Sequence, residues 1–202
     1  MAKLTRVSLE QGKTWVFASA LDWPGWCRRG KGEEAAIDEL LEYADRYAAV
    51  VGSTIKAGNV SVVGRVSGTP TTDFGAPNVR GPWDDEKLSK TEAGRLTGLL
   101  EAAWVYFDEV VDSAPTKLRK GPRGGGRDRD AVLAHVQEAE RGYGRKVGPR
   151  VPPRTPWPEQ REAISTAMRA GAPGEAWPVR YAVRRFAWHV LDHAWEIEDK
   201  SS

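Results

Sequence analysis

The sequence predicts a mixed α+β protein, a small ββαβ module followed by a bundle of four helices. Short alternating runs of β-branched and aromatic residues concentrate before residue 68. A stretch rich in Gly, Pro, Thr and Asn then breaks every apolar period. Beyond it lie four segments whose apolar residues recur at threes and fours. A chain of 202 residues can hold two modest cores, so the division is placed at Trp83, giving units 1–83 and 84–202.

In order along the chain, Leu4 to Leu9 and Thr14 to Leu21 read as two strands joined by the turn-like Glu10-Gln11-Gly12-Lys13. After the breaker-rich Trp23-Pro24-Gly25-Trp26, the segment Glu33 to Val51 puts Ile37, Leu40, Leu41, Ala44, Ala48 and Val51 on one helical stripe. Val60, Val62 and Val66 alternate through Asn59 to Ser67 as a third strand, and Gly68 to Trp83 reads as a linker. The first bundle helix is predicted from about Lys90 to Ser113, where Leu96, Leu99, Leu100, Ala103, Phe107, Val110 and Val111 repeat and Pro115 stops the pattern. The second runs from about Asp128 to Val147 and the third from Glu159 to Ala170, where only Ile164 and Met168 are sizeable anchors. The fourth follows Pro178 and extends to about Glu198.

Composition narrows the function classes. With 40% hydrophobic and 29% charged residues the chain has an ordinary globular balance, and a formal net charge of +2 gives no reason to expect nucleic acid or a membrane surface as partner. No stretch approaches the roughly 20 apolar residues of a spanning helix, and Met-Ala-Lys-Leu-Thr-Arg lacks a secretory signal. Cys27 is the single cysteine, which excludes an internal disulfide and a zinc site built mainly from thiolates. A cytoplasmic protein acting on a small molecule is the expectation, with self-association left open. The nine tryptophans suggest a deep core, or otherwise an aromatic-lined cleft.

The candidate chemistry lies in the three histidines. On the fourth helix Ala182, Phe186, His189, His193 and Ile197 form one stripe, so both imidazoles stand where core leucines would. On the second helix His135 falls at the edge of the stripe of Val132, Val136, Ala139 and Tyr143. Histidines four apart lie about one helical turn from each other and can both reach an ion at roughly 2.0 to 2.1 Å, and a third imidazole from a neighbouring helix leaves positions open for water or substrate. A histidine alone on an apolar face is more often a hydrogen-bonded core residue. Here all three take bundle-facing positions, two of them at chelating spacing, which brings a divalent metal forward as a reading beside that of hydrogen-bonded core histidines and does not decide between them.

The string Asp130-Ala-Val-Leu-Ala-His135-Val-Gln-Glu-Ala-Glu140-Arg-Gly-Tyr143, followed about fifty residues later by Trp188-His189-Val-Leu-Asp-His193, resembles the DinB/YfiT-like superfamily. The resemblance covers approximately Asp84 to Asp199. It implies a four-helix bundle with one metal-binding histidine on its second helix and an H-x-x-x-H pair on its fourth, positions that match His135, His189 and His193. It also implies transferase or isomerase chemistry with a low-molecular-weight thiol such as mycothiol or bacillithiol. Imidazole ligands suit zinc, nickel, iron and copper alike. More faintly, Phe17-Ala-Ser-Ala-Leu21, Pro24-Gly25-Trp26-Cys27 and Gly32-Glu33-Glu34-Ala35 are similar to the HicB-like fold. No DNA-binding tail is visible, so the fold alone is carried over, and Trp15, Trp23 or Trp26 is expected to wall the open end of the bundle.

Four smaller signals accompany these. Glu196, three residues after His193, is a candidate to hydrogen-bond a ligand or shuttle a proton, against the plainer reading of a helix-end carboxylate. Glu140 and Tyr143 are candidates for ligand support or core packing. Lys117, Arg119, Lys120, Arg123 and Arg127 could attract an anion or simply solvate their loop, and Cys27 beside Arg28 and Arg29 could have a lowered thiol pKa. The leading expectation is a metal-dependent, thiol-using transferase in which the ion activates a water or a thiol sulfur. A metal hydrolase comes second, and a non-catalytic binding or toxin-antitoxin-like module third.

Overall fold

The computed structural model describes residues 4–53, 60–121, 125–171 and 176–201. A four-stranded sheet forms from β1 (Thr5–Gln11), β2 (Val16–Ala20), β3 (Cys27–Gly30) and β4 (Val60–Ser67). The strand order is β3-β2-β1-β4, antiparallel except for the parallel β1–β4 pair. Between β3 and β4 lie α1 (Glu33–Glu42) and α2 (Ala44–Val51). The N-terminal order is therefore βββααβ, not ββαβ. The added strand, Cys-Arg-Arg-Gly, has no β-propensity signal of its own; it exists because its backbone pairs with β2 from Val16↔Gly30 to Ser19↔Cys27. The single helix expected over Glu33 to Val51 breaks at Tyr43, whose φ of −86° and ψ of 3° leave the helical range.

The sheet is buried on both faces. Val7, Leu9, Ala18 and Ala20 belong to the main core with Ala36 and Leu40 of α1. Opposite them in the period-2 alternation, Ser8, Glu10 and Ser19 are buried on the other face. On that face Phe17 meets Trp188 from the C-terminal helix edge-on, with ring centroids 6.1 Å apart.

The segment expected to be a linker is an ordered strap. It contains α3 (Pro70–Phe74) and a 3-10 turn at Pro82–Asp84. Buried Glu10 accepts hydrogen bonds from the Thr72 hydroxyl at 2.5 Å and from the backbone N–H groups of Asn78 and Val79 at 3.0 Å each. Asp73 accepts from the N–H groups of Lys13 and Thr14 in the β1–β2 turn. Polar bonds rather than an apolar period hold the strap, so hydrophobic patterning could not reveal it.

The remaining helices are α4 (Lys90–Ser113), α5 (Arg129–Val147), α6 (Trp157–Arg169) and α7 (Val179–Ser201). Ser89 caps α4 by accepting from the N–H of Glu92. α4 packs on α6 and α7, and α5 packs on the same two, so the four close a ring. Leu96, Leu100, Ala103 and Phe107 from α4 join Val132 and Val136 from α5, Ile164 and Met168 from α6, and Phe186 and Ile197 from α7 in one core. That core continues without a break into the side chains beneath the sheet. Five of the tryptophans, Trp26, Trp83, Trp104, Trp188 and Trp195, are buried. Among the described residues no helix is long and apolar enough to cross a membrane.

Candidate metal centre

The inward stripe of α7 contains Ala182, Phe186, His189, His193 and Ile197, all buried. His135 lies half-buried beside the inward Val132–Val136 row of α5. Because α5 packs directly on α7, the three imidazoles meet. One ligand atom from each lies within 4.8 Å of the other two, and the Nε2 atoms of His135 and His189 are 3.2 Å apart. Two nitrogens bound to one tetrahedral ion at about 2.1 Å would stand roughly 3.4 Å from each other, so the separation of this pair suits chelation as well as the hydrogen bond it forms between the two rings. The ring centroids are 4.7 to 5.1 Å apart.

The surroundings favour neutral rings at His135 and His189. Burial first, then the charges of His193 and Arg127, lowers the pKa of His135. Burial likewise drives His189 well below the usual histidine value, helped by His193 and Arg185. Neutral imidazole is the form that donates a lone pair to a cation. The donor set of three nitrogens from two helices, with no thiolate or carboxylate among them, therefore fits a borderline divalent ion such as zinc, nickel or iron.

Glu196 is part of this cluster. Nδ1 of His193 donates to Glu196 Oε2 at 2.8 Å, so Nε2 is the ring nitrogen of His193 left to face a ligand. The hydrogen bond from His193, and then that from Lys200, hold the Glu196 carboxyl at about 2 against the opposing effect of burial. Lys200 donates to the other carboxylate oxygen. The i,i+4 spacing of Glu196 and Lys200 was a readable signal for that pair. His189 lacks such support: its Nδ1 is buried without a hydrogen-bond partner. Tyr143 packs edge-on to His189 at 5.6 Å, and its hydroxyl accepts from Arg185 at 3.1 Å.

Other candidates lie elsewhere. Glu140 is fully buried but faces α6, where Trp157 Nε1 donates to it at 2.6 Å and Arg161 Nε at 3.2 Å, so it holds helices together away from the imidazoles. Trp26 stacks on Tyr47, Trp23 packs edge-on to that ring, and Trp15 lies under the Arg29 guanidinium. None of these walls the site; among the described residues the other aromatic rings touching an imidazole are Tyr143 and Trp188. Cys27 is buried, accepts a hydrogen bond from Ser19 at 3.0 Å, and has its thiol pushed up to about 12 by burial, the reverse of the activation its arginine neighbours suggested. Of the basic loop, Lys117 and Lys120 are spent on Asp128 and Arg119 donates to the Asp199 carbonyl, while Arg123 is outside the described residues.

Comparison of the chain with protein-family models, curated proteins and solved structures gives no match.

Proposed function

We propose that this protein is a metal-dependent enzyme whose divalent ion is held by His135, His189 and His193 inside a DinB-like bundle formed by α4 to α7. The observation that supports it is the convergence of three imidazoles from two helices, with two Nε2 atoms 3.2 Å apart and all three ligand atoms within 4.8 Å. When bound, the ion supplies Lewis acidity that lowers the pKa of a coordinated water or thiol. The chain's residues do the rest: His135 and His189 present neutral nitrogens, Glu196 orients His193, and Tyr143 and Trp188 shield the rings from water. A three-ligand set leaves a position for substrate. The sequence resemblance favours a low-molecular-weight thiol as co-substrate and hence a transferase, with a hydrolase as the alternative.

Elemental analysis of the purified chain tests the premise. We expect about one equivalent of zinc, nickel or iron per chain and its loss in His189→Ala with the fold retained by circular dichroism. Metal-free wild-type protein that also takes up none on dialysis against zinc would end the proposal.

A further inference from the structure

The second face of the sheet, the strap and α7 enclose a cavity that is partly open to solvent. Glu10 lines it from β1, Val79 and Trp83 from the strap, and Arg184, Arg185 and Trp188 from α7. Buried N–H groups in a folded protein ordinarily have an acceptor. Three residues of this lining have one that does not: Nε1 of Trp83, Nε1 of Trp188 and Nε of Arg184 are buried without a hydrogen-bond partner. The two indoles are 8% and 5% exposed, so bulk water does not serve them. Their rings are also fixed. Trp83 is wedged against Gly64 and Gly81, where an added Cβ would collide with its six-membered ring. Trp188 lies between the edge of Phe17 and the Arg185 guanidinium, which is 4.7 Å from its centre.

Of the two guanidiniums in the lining, only one has a carboxylate. Arg184 is paired with Asp84 at 2.6 Å. Arg185 spends its hydrogen bonds on the Pro77 carbonyl and the Tyr143 hydroxyl, both neutral, and meets no carboxylate among the described residues. Glu10 does not make up the deficit, because its oxygens already accept from Thr72, Asn78 and Val79 of the strap. Donors are therefore in surplus here, and a half-buried cation lacks the anion that such a charge ordinarily keeps. Water would satisfy the donors without neutralising Arg185. A carboxylate does both, since its two oxygens accept several N–H bonds and its charge strengthens each. The size agrees: about 30 Å³ of the cavity admits a water-sized sphere, room for about two waters or one carboxylate group.

We propose that this cavity is a binding site, separate from the histidine cluster, for the carboxylate of a small molecule. The indole N–H groups of Trp83 and Trp188 bond its oxygens, Arg185 supplies the countercharge, and the rest of the ligand extends through the open side. The test follows the indole N–H signals of the isotope-labelled full chain by NMR while acetate, or its neutral isostere acetamide, is added at constant pH and ionic strength. The signals of Trp83 and Trp188 are assigned with Trp83→Phe and Trp188→Phe. Acetate should move both downfield and saturably at concentrations where acetamide does not. Arg185→Gln should weaken acetate about ten-fold or more, the usual worth of a hydrogen bond to a charged group, with the other indole signals in place to show that the fold is kept. Should that variant unfold, the contrast between acetate and acetamide in the wild type decides alone. Absence of a saturable shift would mean that the cavity holds only water, and acetamide binding as tightly as acetate would remove the charge from recognition; either overturns the proposal. So would a shift of Trp188 without Trp83, which would place the anion at the imidazoles, since Trp188 packs against His189.

Discussion

At the scale of single residues, the three imidazoles differ in how they are held. His193 is anchored through Nδ1 by Glu196, whereas Nδ1 of His189 has no partner. A carboxylate on the far nitrogen of a ligand fixes its tautomer and ring angle and raises its basicity, and losing such a partner costs about 10- to 100-fold in metal affinity. Glu196→Ala should therefore weaken zinc binding by at least about ten-fold, measured by competition with a chromogenic chelator. Glu196→Gln can still accept from His193 through its amide oxygen and should recover most of that loss. Equal weakening in both variants would mean that the negative charge matters more than the orientation; no weakening in either would remove Glu196 from any positioning role. The histidines themselves were legible because a residue on the inward stripe of an amphipathic helix needs no tertiary knowledge to be placed. Arg185 could not be assigned to the site that way, since its link to the cluster runs through the Tyr143 hydroxyl on α5 and the Pro77 carbonyl of the strap, neighbours that only the packed fold supplies.

Among elements, α6 shows where periodicity stops being informative. Its inner face buries Gln160, Arg161 and Ser165 beside Ile164 and Met168, so half of its attachment is polar and scores as solvent-facing in a hydrophobic pattern. Arg161 Nη1 bonds both oxygens of Asp108 on α4 at 2.9 Å while Nε bonds Glu140 on α5, and the guanidinium lies 3.8 Å from the centre of the Trp157 ring. Burial pushes the Glu140 pKa up and Arg161 pulls it down, so the carboxylate depends on that cation. Arg161→Ala would leave a buried charge uncompensated and should cost about 3–5 kcal/mol in urea unfolding. The double change Glu140→Leu with Arg161→Met, which removes both charges and keeps volume, should cost much less. If single and double variants unfold at the same urea concentration, the network is not what secures α6. The same limit explains β3 and the strap. Both are held by backbone pairing and side-chain-to-backbone bonds that leave no apolar rhythm in the sequence, whereas α4 is held by an uninterrupted apolar stripe and matched its expected bounds.

For the molecule as a whole, the consequential fact is that the core under the sheet and the core of the helices are one body of packed side chains. The joint is tight at Gly25, between β2 and β3. Its φ of 94° lies where side chains are rarely tolerated, and a Cβ there would stand 2.7 Å from Leu191 Cδ1 and 3.2 Å from Ala187 Cβ. Ala187 and Leu191 flank His189 on α7, so a change in the sheet's turn presses on the helix that carries two of the three imidazoles. Gly25→Ala should lower stability by about 1–3 kcal/mol through backbone strain and overpacking. Because the core is shared, the loss should appear as one transition at a lower Tm, coincident by far-ultraviolet dichroism and by fluorescence from tryptophans buried in both parts, such as Trp26 and Trp195. Zinc affinity should fall with it, since α7 cannot yield at Leu191 without moving His189 relative to His135. Two separate transitions would show that the sheet and the helices unfold independently. A lowered Tm with unchanged zinc affinity would show that α7 absorbs the strain before it reaches the imidazoles. In either case the N-terminal part would have no mechanical hold on the centre.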